Sequence, residues 1–235
     1  NNLEIYDLPE AFINKILEYK TEEKPDKFTW ISSIENDLKV KNGFPVIPSY
    51  LDVRDYQDIA YNKWRENKFK GIFEMATGTG KTITALIILQ RTLEKLTAHN
   101  RGCLTIVLVP SIALASQWHE EMQSFNMNAL VCESTKKWEN DFNMFIDDLR
   151  FSSPRHNYVI LVNNSLKKIK DKLEKLTDSI KEKIFIIADE VHNLGTENYL
   201  KMLPNGVLMK LGLSATPQRY YDDSGTDKLK AYFGD

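Results

Sequence analysis

The chain has 235 residues, 31 Lys and Arg against 33 Asp and Glu, a net charge of −2, and 42% apolar residues. These proportions are ordinary for a soluble globular protein of one large or two small domains. They exclude a membrane-spanning helix, since no apolar run approaches ~20 residues, and Asn1 to Glu4 offers no secretory signal. Near-neutral charge is silent on nucleic acid, so a polyanion would have to be held by a local patch. Cys103 and Cys132 lack metal-ligand spacing and sit in apolar runs as small core residues, pointing to a reducing, cytoplasmic setting. The chain begins without Met and stops without a polar tail, which suggests a piece excised from something longer.

In chain order, Pro9 followed by Ala11, Phe12, Ile13, Ile16, Leu17 and Tyr19 has the spacing of an amphipathic helix. A second helix is expected across Ile31 to Val40, after the charged stretch Thr21 to Lys27. The run Gly43 to Pro48 is rich in breakers. Residues 1–50 therefore read as an accessory helical segment or the tail of an upstream domain, and 51–235 as the main domain. There a helix is expected over Asp55 to Asn67, then strands alternate with helices. The strands are Ile72–Glu74, Leu104–Val109, the short Ala129–Cys132, Tyr158–Val162, Ile184–Ala188 and Val207–Leu213. The helices are Thr82–Leu96, Ile112–Phe125, Trp138–Leu149 and Leu166–Ile180. Continuous apolar strands separated by helices predict an α/β fold, a mainly parallel sheet covered on both faces. Ligands bind such sheets at the carboxyl ends of the strands. Several polar clusters fall there, among them Val109-Pro110-Ser111, Asn163-Asn164, Asp189-Glu190 and Ser214-Ala215-Thr216.

Met75-Ala-Thr-Gly-Thr-Gly-Lys-Thr82 follows the first strand and opens a helix, the setting of a phosphate-binding loop. Gly78 and Gly80 let the backbone curl so that N–H groups point at phosphate oxygens, assisted by Thr77 and Thr79 and by the helix's positive end. Lys81 would reach the β- and γ-phosphates of ATP, and the Thr82 hydroxyl would ligate Mg²⁺. Met75 departs from the usual pattern, which has Gly there. The strand Ile184–Ala188 ends in two carboxylates. Beside a phosphate loop, Asp189 suits the second Mg²⁺-holding role and Glu190 that of the base activating the attacking water. His192 has no partner His or Cys cluster for a metal, and His99, His119 and His156 read as surface residues. Lys167, Lys168, Lys170 and Lys172 read as a solvated helix face balanced by Asp171 and Glu174.

With Asp189-Glu190-Val191-His192 placed, residues 50–235 resemble the first RecA-like lobe of superfamily 2 helicases and translocases, DEAH-like branch. The motif spelling is most similar to the helicase-like motor of type I and type III restriction enzymes, where Met at position 75 is usual. The resemblance implies a three-layer αβα P-loop NTPase domain. It implies that Gln57, in Arg54-Asp55-Tyr56-Gln57, reads the adenine edge and that Arg54 supports that pocket. Pro110 and Ser111, with Gln117, would contact the nucleic-acid backbone, as would Asn164 and Ser165 after the fourth strand. Asn164 or Ser165 equally suits the cap of the helix starting at Leu166. Ser214 and Thr216, with His192, would couple the nucleotide site to the nucleic-acid track. The family's second lobe, with its arginine finger, has no counterpart here, so the isolated chain is expected to turn ATP over very slowly. The implied partners are nucleic acid, foremost double-stranded DNA, the second lobe in cis, and a fused or associated nuclease or methyltransferase. Another P-loop ATPase and a nucleotide-switched binding module are the competing readings. Gln57 with Ser214-Ala-Thr-Pro217 speaks against the first, and intact Lys81, Asp189 and Glu190 against the second.

Overall fold

A computed structural model describes residues 43–76, 78–133, 137–215 and 223–234. The expected N-terminal helices and the site residues Thr77 and Thr216 lie outside the described residues. The chain divides into two units, 1–46 and 47–235, and the sheet and its helices belong to the second.

Helix α1 (Asp55–Glu66) leads into β1 (Lys70–Glu74), and the glycine loop then opens α2 (Lys81–Ala98). There follow β2 (Cys103–Val109), α3 (Ile112–Ser124), β3 (Ala129–Cys132), α4 (Glu139–Arg150) and β4 (His156–Val162). A 3₁₀ turn at Asn163–Ser165 feeds α5 (Leu166–Glu174), then α6 (Asp178–Lys181) and β5 (Ile184–Ala188). After a second 3₁₀ turn, Val191–Gly195, come α7 (Glu197–Leu200), β6 (Met209–Ser214) and α8 (Asp223–Phe233). The six strands form one sheet in the order β1-β6-β5-β2-β4-β3, and every neighbouring pair is parallel. Because all strands run the same way, their carboxyl ends share one edge.

Period-two alternation along the central strands explains the covering of both faces. Leu104, Ile106 and Leu108 of β2, with Ile184, Ile186 and Ala188 of β5, pack against Phe142, Ile146, Leu166, Ile169 and Leu229. Val107 and Val109, with Phe185 and Ile187, face Trp64, Leu86, Leu89, Trp118 and Met122. The result is the α/β RecA-like arrangement, a parallel sheet between two helical layers. Trp64 pins α1 to the sheet: its ring stacks on Phe185 at 5.0 Å, and its Nε1 donates to the Lys210 carbonyl at 2.8 Å.

Two expected elements shift. The helix over Leu166–Ile180 stops at Glu174, because Thr177 is extended (φ −68°, ψ 158°) and its carbonyl starts α6 instead. The last strand begins at Met209, leaving Val207 buried but outside the ladder. His119 and His156, expected at the surface, are half-buried, each with a buried Nδ1, and only His99 of the three is exposed. Cys103 and Cys132 are buried, as expected of core residues.

Candidate nucleotide and nucleic-acid site

The loop after β1 is held at both ends by backbone. Met75 N donates to the Ser214 carbonyl at 3.0 Å, tying the loop to the end of β6. Thr79 closes the turn on the Ala76 carbonyl, through its amide at 3.3 Å and its hydroxyl at 2.7 Å. Gly78 (φ 77°) and Gly80 (φ 87°) both adopt left-handed backbone, which side-chain-bearing residues avoid. A Cβ at Gly78 would meet nothing within 4 Å, so the loop presents open backbone at that point. Gly80 caps α2, and no acidic residue in the helix's first turn competes for its positive end.

Lys81 emerges from this first turn with its side chain only 10% exposed, and its Nζ donates to Glu190 Oε1 at 3.1 Å. Glu190 sits in the left-handed region (φ 45°, ψ 53°), a conformation that costs a non-glycine residue about 1–2 kcal/mol. Local strain of this kind gathers at functional sites, and here it turns the carboxylate off the end of β5 toward the loop. Its other oxygen lies 3.4 Å from His192 Nδ1, which in turn is 3.1 Å from Ser214 Oγ. Lys81, Glu190, His192 and Ser214 thus form one polar chain across the ends of β1, β5 and β6.

Asp189 is 5% exposed, and its main-chain N–H donates to the Leu108 carbonyl at 2.8 Å. Its Oδ2 accepts from Trp118 Nε1 at 2.8 Å and its Oδ1 from Glu190 N at 2.9 Å. Burial pushes the Asp189 carboxyl above the usual carboxylate range, against the two hydrogen bonds and Lys81, which favour its charge. A buried carboxylate oriented by two donors is suited to face a cation. Thr82 lies on the first turn of α2. Among the described residues no group of three or more His, Cys, Asp or Glu gathers around a metal. Mg²⁺ bound by one carboxylate, a hydroxyl, waters and substrate phosphates needs no such group.

Beside the loop a cavity of about 410 Å³ is lined by Tyr50, Arg54, Tyr56, Gln57, Gly78 and Thr79 among others. Gln57 is 3% exposed and both ends of its amide are engaged. Its Oε1 accepts from Arg54 N at 2.9 Å, and its Nε2 donates to Thr84 Oγ1 at 3.1 Å. Arg54 is exposed at the cavity. Tyr56 joins cavity and loop, its hydroxyl donating to the Thr79 carbonyl at 3.1 Å.

Of the residues assigned to nucleic acid, Ser111 caps α3, its Oγ accepting from Leu114 N at 3.3 Å. Ser111 and Gln117 are exposed and Pro110 is half-buried. Asn164 is exposed and its Oδ1 accepts from Tyr199 OH at 2.7 Å. Ser165 occupies the cap position of α5 but makes no capping hydrogen bond; it is 1% exposed and its Oγ has no partner. The capping reading of that pair is therefore corrected: the 3₁₀ turn, rather than a side chain, starts α5. The lysines of α5 keep the expected balance with Glu174 and also reach across to α4. Lys168 pairs with Glu139 at 3.4 Å over the Trp138 ring, Lys172 reaches Asn143 at 2.7 Å, and Lys170 pairs with Glu174 at 3.5 Å.

Trp118, Tyr56 and Tyr199 hold site residues in place, and sequence reasoning missed these roles. Trp118 and Tyr56 stand within or beside the motif strings, but adjacency in sequence does not tell which neighbour a ring N–H or O–H meets. Tyr199 carries no sequence signal.

A strand-end glycine loop facing a paired Asp-Glu on a parallel RecA-like sheet is the arrangement of a helicase-family domain. The family described as "Type III restriction enzyme, res subunit" matches residues 50–219. The chain belongs to that family, a branch of the superfamily 2 helicases. It is 29% identical over 203 residues to a protein named "DNA 3'-5' translocase XPB2" from Sulfurisphaera tokodaii, covering 83% of this chain and 38% of that one. The chain thus spans well under half of that curated relative. Among solved structures it is similar to a nuclease-deletion mutant of the Type ISP restriction-modification enzyme LlaGI in complex with a DNA substrate mimic. The TM-score is 0.57 and the identity 23%, over 72% of this chain and 18% of that one. It is also similar to the Pyrococcus furiosus Hef helicase domain, at TM-score 0.56 and 18% identity over 77% of this chain and 37% of that one. These two likenesses establish the fold.

Proposed function

We propose that this chain is the ATP-binding lobe of a nucleic-acid-dependent ATPase, a DNA translocase or helicase motor of a restriction or phage-defence system. The observation that carries the proposal is the 3.1 Å ion pair between Lys81 and Glu190. The contact supports reading Lys81 as the phosphate-binding cation and Glu190 as the base, since one side chain's length separates them across two strand ends. In this reading ATP lays its phosphates on the backbone of Gly78 to Thr82, and Lys81 exchanges Glu190 for the β- and γ-phosphates. Glu190, so released, accepts a proton from the attacking water. Thr82 and Asp189 would hold Mg²⁺, which when bound neutralises charge developing on the phosphate oxygens. His192 and Ser214, with Thr216, would couple the state of Glu190 to a nucleic-acid track at Pro110, Ser111, Gln117 and Asn164. Ser165, also expected there, is buried and could contact a strand only after the 3₁₀ turn rearranges. The adenine would lie in the cavity beside Arg54 and Tyr56, with Gln57 reading its edge once its present bonds rearrange.

Residues 51–235 would form this lobe, and residues 1–50 would be an accessory helical segment or the tail of an upstream domain. A nuclease or methyltransferase would be fused to or associated with the motor in the cytoplasm. Among the described residues no helix is long and apolar enough to cross a membrane. A second RecA-like lobe in the parent would supply an arginine finger, worth roughly 10³–10⁵ in rate. The test is ATP hydrolysis by the two-lobed parent with duplex DNA, single-stranded DNA or RNA, alongside this chain. Strong stimulation by duplex DNA, with this chain near zero, supports the half-motor reading. Equal rates for chain and parent would remove the need for the second lobe.

A further inference from the structure

The edge of the sheet opposite the nucleotide loop carries a second concavity, of about 390 Å³. Phe69 precedes β1, Leu208 precedes β6, Glu182 lies just ahead of β5 and Arg101 just ahead of β2. These four strands are consecutive in the sheet. The hollow therefore runs under the amino ends of its strands, away from everything assigned to ATP.

Its floor is apolar, formed by the buried Tyr61 and Met209 with Leu96. Phe69 and Leu208 stand at the rim, 39% and 44% exposed. Three cations surround this surface against the single carboxylate of Glu182. Arg65 and Lys95 lie over the Tyr61 ring, 5.5 and 5.3 Å from its centroid, and Arg101 approaches from the β2 side. None of the three has a carboxylate partner among the described residues. Arg91, which also lies over Tyr61, is by contrast paired with Asp58. Unpaired cations around an apolar hollow are complementary to carboxylates flanking an apolar side chain.

We propose that this hollow docks a partner polypeptide through an acidic segment bearing a bulky apolar anchor. The anchor fills the space between Tyr61, Phe69 and Leu208, while its flanking carboxylates meet Arg65, Lys95 and Arg101. The shape favours a peptide over nucleic acid. A phosphate backbone would use the cations and leave the apolar floor wet, whereas one large side chain desolvates it.

The test titrates the full chain into a short fluorescein-labelled peptide of Glu and Asp around a central Leu-Phe pair, followed by anisotropy. Two control peptides replace the acids with Lys, or Leu-Phe with Ser-Ser. Saturable binding is expected for the first peptide alone, weakening as salt is raised. The pair Lys95→Glu with Arg101→Glu, and separately Leu208→Asp, should each weaken binding about tenfold. All three residues are exposed, so the thermal transition should be kept. Arg65→Gln is a milder variant that should give a smaller loss. No binding, equal binding of the Ser-Ser peptide, or undiminished binding by the variants overturns the proposal. Displacement of the peptide by duplex DNA, with DNA binding lost in the charge-reversed variant, also overturns it and makes the hollow a nucleic-acid patch.

Discussion

Trp118 Nε1 donates to Asp189 Oδ2 at 2.8 Å, and both side chains are buried. The bond joins α3, the helix that follows β2, to the carboxylate at the end of β5. It means that the helix bearing candidate nucleic-acid contacts at Ser111 and Gln117 also orients the candidate metal-holding oxygen. A shift of α3 cannot leave Asp189 where it is.

Trp118→Phe keeps most of the apolar fill and removes only that donor from the ring. The buried carboxylate then loses one of its two partners, at a cost of about 1–3 kcal/mol. Burial already raises the Asp189 carboxyl, so the folded state favours its neutral form and its ionisation is penalised above the folded pKa. Losing the donor raises that pKa further. The variant's deficit should therefore be larger at neutral pH and shrink as pH falls through the folded pKa. Urea denaturation of wild type and variant at pH 7 and in mild acid checks this; a deficit constant with pH would reflect lost packing alone.

Gly78 and Gly80 separate backbone strain from ligand access. Alanine at either must adopt left-handed backbone, costing about 1–2 kcal/mol of stability. At Gly80 the new Cβ would rest 3.8 Å from Tyr56 OH, and at Gly78 it would enter open space. If phosphates approach the loop where Gly78 is open, Gly78→Ala should weaken Mg²⁺–ATP binding about tenfold or more despite the mild stability loss. Titration of a fluorescent ATP analogue, beside thermal melts, reads the two effects apart. Unchanged affinity would mean that the phosphates do not approach at Gly78.

The β/α alternation and the carboxyl-edge gathering of motifs were legible because strands such as Ile184–Ala188 are continuous apolar runs that only a two-sided burial explains. The phosphate loop was legible because its glycines and Lys81 act through local backbone geometry. The interruption at Thr177 was not, since Leu173 and Leu176 keep a helical apolar spacing through the break. Gln57 shows the same limit at the site. Its place in the string pointed to a ligand, while Thr84, which engages its amide, is brought near only by the packing of α1 on α2. The bonds of Trp118 and Tyr199 likewise depend on distant pairings, 71 and 35 residues apart.

Glu190→Gln should split binding from turnover. With Glu190 neutral, Lys81 loses its ion-pair partner and is freer to meet phosphate, so ATP affinity is expected to hold or rise. Hydrolysis by the two-lobed parent should fall by about 10²–10⁴-fold, the usual contribution of a positioned base. Single-turnover hydrolysis with matched nucleotide binding makes the measurement. An unchanged rate would strip Glu190 of the role of base and leave it as the apo-state partner of Lys81.

His156, at the start of β4, should make the fold acid-sensitive. Thr97 Oγ1 donates to the Leu93 carbonyl at 2.9 Å, so at its 2.7 Å contact with His156 Nε2 the imidazole is the donor. The ring is then the Nε2–H tautomer, and its buried Nδ1 has no partner to receive a second N–H. Burial accordingly pushes the His156 pKa down to about 4 from an ordinary 6.5. Between those values the unfolded chain binds the proton and the folded chain does not, so stability falls as pH falls from 6.5 toward 4. The full loss is about 3 kcal/mol. His156→Gln can keep a donor toward Thr97 without a titrating nitrogen, so it should flatten this part of the profile. Thermal melts of wild type and variant from pH 7 to pH 4.5 compare the slopes. Parallel slopes would assign the acid sensitivity to other groups.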